Sequence, residues 1–359
     1  MIYFDYQATT PLAPEAREAM LPWLSGPEAA GFANPHSPHR PGRAAAAVIE
    51  MAREQVAELL PPGGRIIFTS GATEALNIAI GGAKASRVVV SNIEHAAVLY
   101  TARANSAEIH ELAVESSGVL SSEAAIPDGT GLVAVMQVNN EIGTIQPVAA
   151  LAEAAHKAGA LFLCDAVQGA GKLAPPVEAD IIALSAHKLY GPKGVGVLWL
   201  RDGVELAPLI HGGGQEQGLR SGTLSPALCA GFGAAAALAR TRMAEDAMHV
   251  AKLSARAREI LADWHLNGDA ERRWRGNLNL RRDGLDVARL MSDLRDIAFS
   301  AGSACASGSG KASHVLRAIG LTEAQAKSSI RIGFGRYSSL GEIEDACARI
   351  NAAAAAQGV

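Results

Sequence analysis

"ALFLCDAVQGAGKLAPPVEADIIALSAHK", residues 160–188, decides the fold. It holds two short apolar runs, "ALFLCDA" (160–166) and "DIIALSA" (180–186). Neither alternates polar with apolar residues, so each reads as a strand buried on both faces. The same kind of run recurs along the chain as "RIIFTS" (65–70), "RVVVSN" (87–92), "GLVAVMQV" (131–138) and "GVGVLWL" (194–200). Helical stretches lie between them, such as "TEALNIAIGGA" (73–83) and "VAALAEAAHKAG" (148–159). Buried strands separated by helices predict an α/β fold with a mainly parallel sheet covered on both faces.

The 359 residues are long for one core, so a large and a small domain are expected. The segment 224–264 reads as one or two long helices, and a domain change is expected near residues 245–265. Residues 13–250 are assigned to the large domain. Residues 1–12 and 251–359 are assigned to a small α+β domain with alternating short strands and helices. An apolar share of 49% with 19% charged residues fits a soluble protein with a substantial core. The net charge of -4 argues against a nucleic-acid partner. No apolar run reaches ~18 uninterrupted residues, so no membrane span is expected. The N-terminus lacks the layout of a signal peptide. Cys164, Cys229, Cys305 and Cys347 are far apart, with neither zinc spacing nor a C-x-x-C pair. No metal site is expected, and reduced thiols in the cytoplasm follow.

In such sheets ligands bind beyond the carboxyl ends of the strands, so the residues directly after each strand matter most. After "RIIFT" come Ser70, Gly71, Ala72 and Thr73, which form either an ordinary helix cap or a phosphate site. His95 follows the second strand, and Asn139, Asn140 and Glu141 follow the third, where a plain turn is also possible. Asp165 ends "ALFLCD", with Gln168 one turn further. Lys188 closes "DIIALSAHK". An Asp165–Lys188 ion pair between neighbouring strands is one reading of the last two.

Pyridoxal 5′-phosphate accounts for them together. It needs a lysine for its aldehyde, a carboxylate for its pyridinium nitrogen and a helix N-terminus for its phosphate. A ring stacks on its face and a donor touches its ring oxygen. Lys188, Asp165, Ala72 with Thr73, His95 and Gln168 fill these roles in that order.

With these residues in view, the chain resembles the cysteine desulfurases of the NifS/IscS type, in the class V aminotransferase group of fold-type I enzymes. The motifs that carry the resemblance run nearly end to end: "YFDYQATTPL", "NPHS", "FTSGATEALN", "EHAAV", "VNNEIGTIQP", "CDAVQGAGK", "SAHKLYGPKGVG", "HGGGQEQGLRSGT", "AGSACASGS" and "SIRIGFGRYS". The resemblance implies a seven-stranded large-domain sheet. It implies Lys188 as the cofactor-binding lysine and Ser185 and His187 as phosphate contacts beside Ala72 and Thr73. It implies Asp165 on the pyridine nitrogen, Gln168 on the ring hydroxyl and His95 stacked on the ring and aiding proton transfer. Asn140 lies by cofactor and substrate. Thr223 reaches the phosphate of a neighbouring subunit, hence a homodimer. Arg331 binds the substrate carboxylate, with Asn34 assisting and Arg336 a weaker alternative.

The "SAC" motif implies that Cys305 is the nucleophile that takes sulfur from L-cysteine as a persulfide, leaving alanine. The persulfide passes to an iron–sulfur scaffold or another sulfur-acceptor protein. Glycines and serines around Cys305, in the stretch 300–313, are expected to give it reach. Lys311 stands where many relatives carry acidic character. The Gly310-Lys311 pair is no P-loop, because that motif needs Gly at 305 and Ser or Thr at 312, where the chain has Cys305 and Ala312. A selenocysteine lyase or another class V aminotransferase is the alternative activity.

Overall fold

Seven strands form the central sheet of the computed structural model, which describes residues 1–302 and 312–359. Their order across the sheet is Gly64–Thr69, Gly196–Arg201, Ile181–Ser185, Leu161–Asp165, Leu132–Met136, Arg87–Ser91 and Glu108–Leu112. The last five run parallel, and Gly196–Arg201 is antiparallel to both of its neighbours. Six of these strands coincide with the apolar runs. The seventh, Glu108–Leu112, is an edge strand with sequence EIHEL and mostly exposed side chains, so it carries no apolar signal. One face of the sheet packs Phe68, Phe162 and Trp199 against Ile49, Val56 and Phe232. The other packs Val90, Leu163 and Leu198 against Leu76, Ile78 and Ile80 of helix Ala72–Gly82.

The remainder of the chain builds a four-stranded antiparallel sheet from Ser300–Ala301, Ser329–Gly333, Asn277–Arg281 and His265–Leu266. Strand Ile2–Tyr3 runs beside Ile297–Ala298, and Asp5 bridges to Gly333. The long apolar segment forms one unbroken helix, Pro226–Ile260. Its proline stands at the first turn, and the Ser225 side chain accepts from the Leu228 N–H, so both start signals agree. The early turns enter the first core through Cys229, Phe232 and Ala236, and the late turns enter a separate core through Val250, Leu253 and Ala257. The expected division at residue 250 therefore falls inside a helix that both cores share. Among the described residues no helix is long and apolar enough to cross a membrane.

Arg336, the weaker candidate for the substrate carboxylate, belongs to the fold instead. Its Nε and Nη2 donate to Asp246 Oδ2 at 2.9 and 2.7 Å, and its guanidinium lies 4.2 Å from the Tyr190 ring centroid. It is buried and does not line the cavity described below.

Two glycines allow a close backbone approach at one end of the large sheet. Gly71 precedes helix Ala72–Gly82 with φ +155, which a side chain rarely adopts. A Cβ on Gly196 would lie 2.6 Å from the Gly71 backbone and from the Leu184 carbonyl oxygen. Backbone on both sides cannot yield as a side-chain tip can. Gly196→Ala is expected to cost about 1–3 kcal/mol of stability, read as a lowered melting temperature. A melting curve matching the parent's would contradict this close approach.

Candidate active site

The carboxyl ends of the parallel strands open into a cavity of about 550 Å³. Ser70, Gly71, Ala72 and Thr73 reach it from the turn after Gly64–Thr69, and His95 from the turn after Arg87–Ser91. Asn140 comes from beyond Leu132–Met136, Asp165 and Gln168 from the end of Leu161–Asp165, and Ser185, His187 and Lys188 from the end of Ile181–Ser185. Arg331 enters from strand Ser329–Gly333 of the smaller sheet. Ten of the residues singled out from the sequence thus share one cavity: Ala72, Thr73, His95, Asn140, Asp165, Gln168, Ser185, His187, Lys188 and Arg331.

Helix Ala72–Gly82 points its N-terminus into the cavity. The first-turn amides of a helix have no acceptor within the helix, so this end is receptive to an anion. Glu74 is committed elsewhere, accepting from Ser70 N at 2.7 Å and from Arg220 Nε at 2.6 Å. Burial alone would raise its pKa, but these donors outweigh burial and lower it. Ser185 and His187 stand near the same helix end, and His187 Nδ1 lies 3.1 Å from Thr9 Oγ1. Burial, and then the charges of Lys188, Lys193 and Lys172, push the His187 pKa down to about 4, so its ring is neutral at pH 7.

Asp165 is buried and makes no ion pair among the described residues. Its Oδ1 accepts from Val167 N at 3.0 Å. Burial raises its pKa, against that hydrogen bond and the nearby His95 and Lys188. The expected Asp–Lys ion pair is therefore not what holds these groups. Lys188 Nζ donates to the carbonyl oxygens of Gln7 at 2.5 Å and Ala8 at 2.7 Å. His95 caps helix Ala96–Asn105, its Nδ1 accepting from Ala97 N at 3.1 Å. Gln168 departs from expectation. Its Nε2 is used on Gln7 O at 3.0 Å, and its buried Oε1 has no partner. It thus turns an acceptor rather than a donor to its surroundings.

Arg331 is 1% exposed. Its Nη2 donates to Asp5 Oδ1 at 2.7 Å and its Nη1 to Asn140 O at 3.0 Å, which leaves a buried Nε without a partner. Asn34 is exposed and outside the cavity lining, its Oδ1 accepting from His36 N. Thr223 is also exposed and outside the cavity lining. Cys305 lies outside the described residues.

The model of the family Aminotransferase class-V matches residues 2–345. Cysteine desulfurase IscS of Rickettsia bellii is 41% identical over 377 residues, covering 98% of this chain and 91% of that protein. Among solved structures, a NifS-like protein is similar with a TM-score of 0.89 and 33% identity, covering 98% of each chain. SspA in complex with cysteine is similar with a TM-score of 0.82 and 35% identity, covering 94% of this chain and 100% of that one. The chain belongs to the cysteine desulfurases of the class V aminotransferase family. The fold-type I architecture expected from the sequence is the one observed.

Sequence reasoning missed three features of this desulfurase site. The first is the segment Gln7–Thr10, whose main chain grips the lysine turn. Thr10 donates from both N and Oγ1 to His187 O, at 2.9 and 3.0 Å. Polar "QATT" after an aromatic run was the available signal. The others are two buried carboxyls that look like ordinary turn residues. Glu141 Oε2 accepts from Ser313 Oγ at 2.5 Å, and burial pushes its pKa up to about 7. Glu94 Oε1 accepts from Ser91 Oγ at 2.5 Å and Met136 N at 2.9 Å, while its buried Oε2 has no partner. Burial, with help from Asp165, pushes Glu94 up to about 8.

That shift has a sign. Folded protein keeps the Glu94 proton where unfolded protein has released it, so stability falls as pH rises from about 4.5 to about 8. Glu94→Gln carries the neutral shape at every pH. Melting temperatures from pH 5 to 8 are expected to fall for the parent relative to Glu94→Gln. Parallel curves would show that Glu94 is not held protonated.

Proposed function

We infer that this cysteine desulfurase uses pyridoxal 5′-phosphate to move the sulfur of L-cysteine onto Cys305, releasing L-alanine. The observation that carries the reading is convergence in one cavity of an anion-receptive helix end, an unpaired buried carboxylate, a lysine and a buried arginine with an unpartnered N–H. Those features match the cofactor's three recognition points and a substrate carboxylate. Ala72, Thr73, Ser185 and His187 would hold the phosphate, with neutral His187 acting as a hydrogen-bond partner rather than a charge. Asp165 would hold the ring nitrogen, His95 would lie on the ring face, and Gln168 would meet the ring hydroxyl after giving up Gln7 O.

Bound there, the cofactor supplies an electron sink conjugated to the substrate α-carbon. Lys188 would anchor it and, once released, would take the substrate α-proton at Nζ. Arg331 orients the substrate carboxylate, its own position fixed by Asp5 and Asn140. Sulfur then transfers in balance: the Cys305 thiolate bonds to the substrate sulfur, and the substrate Cβ–S bond breaks. The electron pair stays on carbon and is protonated, so the products are alanine and a Cys305 persulfide.

The other cysteines support this assignment from the opposite side. Cys164, Cys229 and Cys347 are buried and free, and burial pushes Cys229 and Cys347 up to about 12 and Cys164 well above the ordinary range. None is a thiolate at neutral pH, and the thiolate is the nucleophile. Free thiols also suit the proposed cytoplasmic location. We further propose a homodimer in which Thr223 reaches the neighbouring subunit's phosphate, consistent with its exposure here. An iron–sulfur scaffold or another sulfur-acceptor protein would receive the persulfide. Residues 13–250 are proposed as the cofactor domain, with the remainder as the second.

Cys305→Ala is expected to load cofactor and respond spectroscopically to cysteine, yet release sulfide only at background. Lys188→Ala should lose the borohydride-trapped link between protein and cofactor, located by peptide mass, together with turnover. Sulfide release by Cys305→Ala at the parent rate would overturn the assignment.

A further inference from the structure

The chain leaves the described structure at Gly302 and returns at Ala312, and both edges of that interval are fastened to one buried pair of side chains. Asn279, on strand Asn277–Arg281, is completely buried. Its Nδ2 donates to Gly302 O at 3.1 Å and to Glu141 O at 3.1 Å. The Glu141 carboxylate in turn accepts from Ser313 Oγ at 2.5 Å. The Asn279 amide is held in this orientation, because its Oδ1 accepts from Asn267 Nδ2 at 2.8 Å. Gly302 N donates to Ser329 O at 2.8 Å, and His314 Nε2 lies 3.0 Å from Glu94 O.

The same few residues touch the cavity. Asn140 precedes Glu141, and its carbonyl oxygen accepts from Arg331 Nη1. Ser300, two residues before Gly302, donates to Asp5 Oδ1, the carboxylate that also holds Arg331. A fold needing only stability has no use for this arrangement, since a matched apolar pair in a buried place is about as stable as a hydrogen-bonded one. What polar groups add is a defined direction for each partner.

We propose that Asn279 and Glu141 are positioning residues for the sulfur-transfer step. They fix the two points from which the segment carrying Cys305 departs, relative to the substrate end of the cavity at Asn140 and Arg331. The proposal rests on the assignment of Cys305 as the sulfur-accepting thiol. It separates two events: cysteine binding depends on the cavity, whereas sulfur transfer depends also on where the thiol's segment is anchored. A displacement near 1 Å at a reacting group costs up to about 100-fold in rate.

The test uses enzyme loaded with pyridoxal 5′-phosphate and compares the parent with Asn279→Leu, Ser313→Ala and Ser313→Thr. Each is mixed with L-cysteine. The cofactor absorbance change reports cysteine binding, and peptide mass of quenched samples reports persulfide on Cys305. Asn279→Leu and Ser313→Ala are expected to keep half-saturating cysteine within about twofold while persulfide forms about tenfold more slowly or worse. Ser313→Thr, which retains the hydroxyl, is expected to recover most of the rate. Should Asn279→Leu fail to load cofactor, the two Ser313 variants decide alone. Persulfide formation at the parent rate, or a fall in cysteine binding in step with it, would overturn the proposal. Cys305→Ala in the same assay tests the underlying assignment separately: persulfide on another cysteine would refute that reading, whatever the anchoring variants do.

Discussion

Six residues at the start of the chain, Asp5 to Thr10, hold the site together. The Asp5 carboxylate fixes Arg331, the carbonyls of Gln7 and Ala8 fix Lys188, Thr9 meets the His187 ring, and Thr10 clasps His187 O and Tyr190 N. These are contacts between segments about 180 and 326 positions apart in sequence. Through the Gln7 and Ala8 carbonyls, this segment accepts two hydrogen bonds from the half-buried Lys188 amine. The two bonds to Lys188 go to main-chain carbonyls, so the path of the backbone at Gln7 and Ala8 helps to set the lysine's direction.

The same segment connects the two sheets. Phe4 O accepts from Gly333 N at 2.8 Å, and Tyr6 N donates to Gly333 O at 3.3 Å, next to the strand that carries Arg331. Gln7 Nε2 reaches Gly276 O at 2.8 Å, just before the strand that carries Asn279. Helix Pro226–Ile260 makes the second connection, with one end in each core. The buried Arg336–Asp246 pair locks that helix to the turn after Ser329–Gly333. Arginine from one sheet and lysine from the other therefore face a shared cavity at a separation the fold dictates.

How far the site was legible follows from this construction. Parallel strands deliver the residues after them to one edge. Thr73, His95, Asn140, Asp165 and Lys188 could therefore be picked out by position alone, and all five line the cavity. The Gln7 and Ala8 carbonyls could not, because every residue has a carbonyl and only the fold says which one meets a lysine. Glu94 and Glu141 escaped for the opposite reason: acids in polar turns are expected in solvent, and only packing reveals them as buried. Strand Glu108–Leu112 escaped because an edge strand need not be apolar. Asn34 and Thr223 came from resemblance alone, and neither lines the cavity within one chain. Arg336 matched the chemistry of a carboxylate binder, but its charge was already committed to Asp246.

Charge explains why this cavity suits anions at both ends. Its walls carry Lys188, Lys193 and Arg331, against Asp165 and Glu74. Glu74 is already balanced by Arg220, and Arg331 is partly balanced by Asp5. Adding Lys172 nearby, the surroundings are positive enough that burial and three lysines hold His187 neutral down to about pH 4. The two buried carboxyls do little to offset this, because Glu94 at about 8 and Glu141 at about 7 spend much or most of neutral pH protonated. A protein could have relieved the surplus by ionising them, but desolvation makes that the costlier course. The surplus is instead left for ligands to neutralise. A dianionic phosphate at the helix end and a carboxylate at Arg331, the ligands proposed above, would each enter a positive, partly buried site where their charge is worth more than in water. Both proposed ligands thus complete the electrostatics of the cavity as well as its shape.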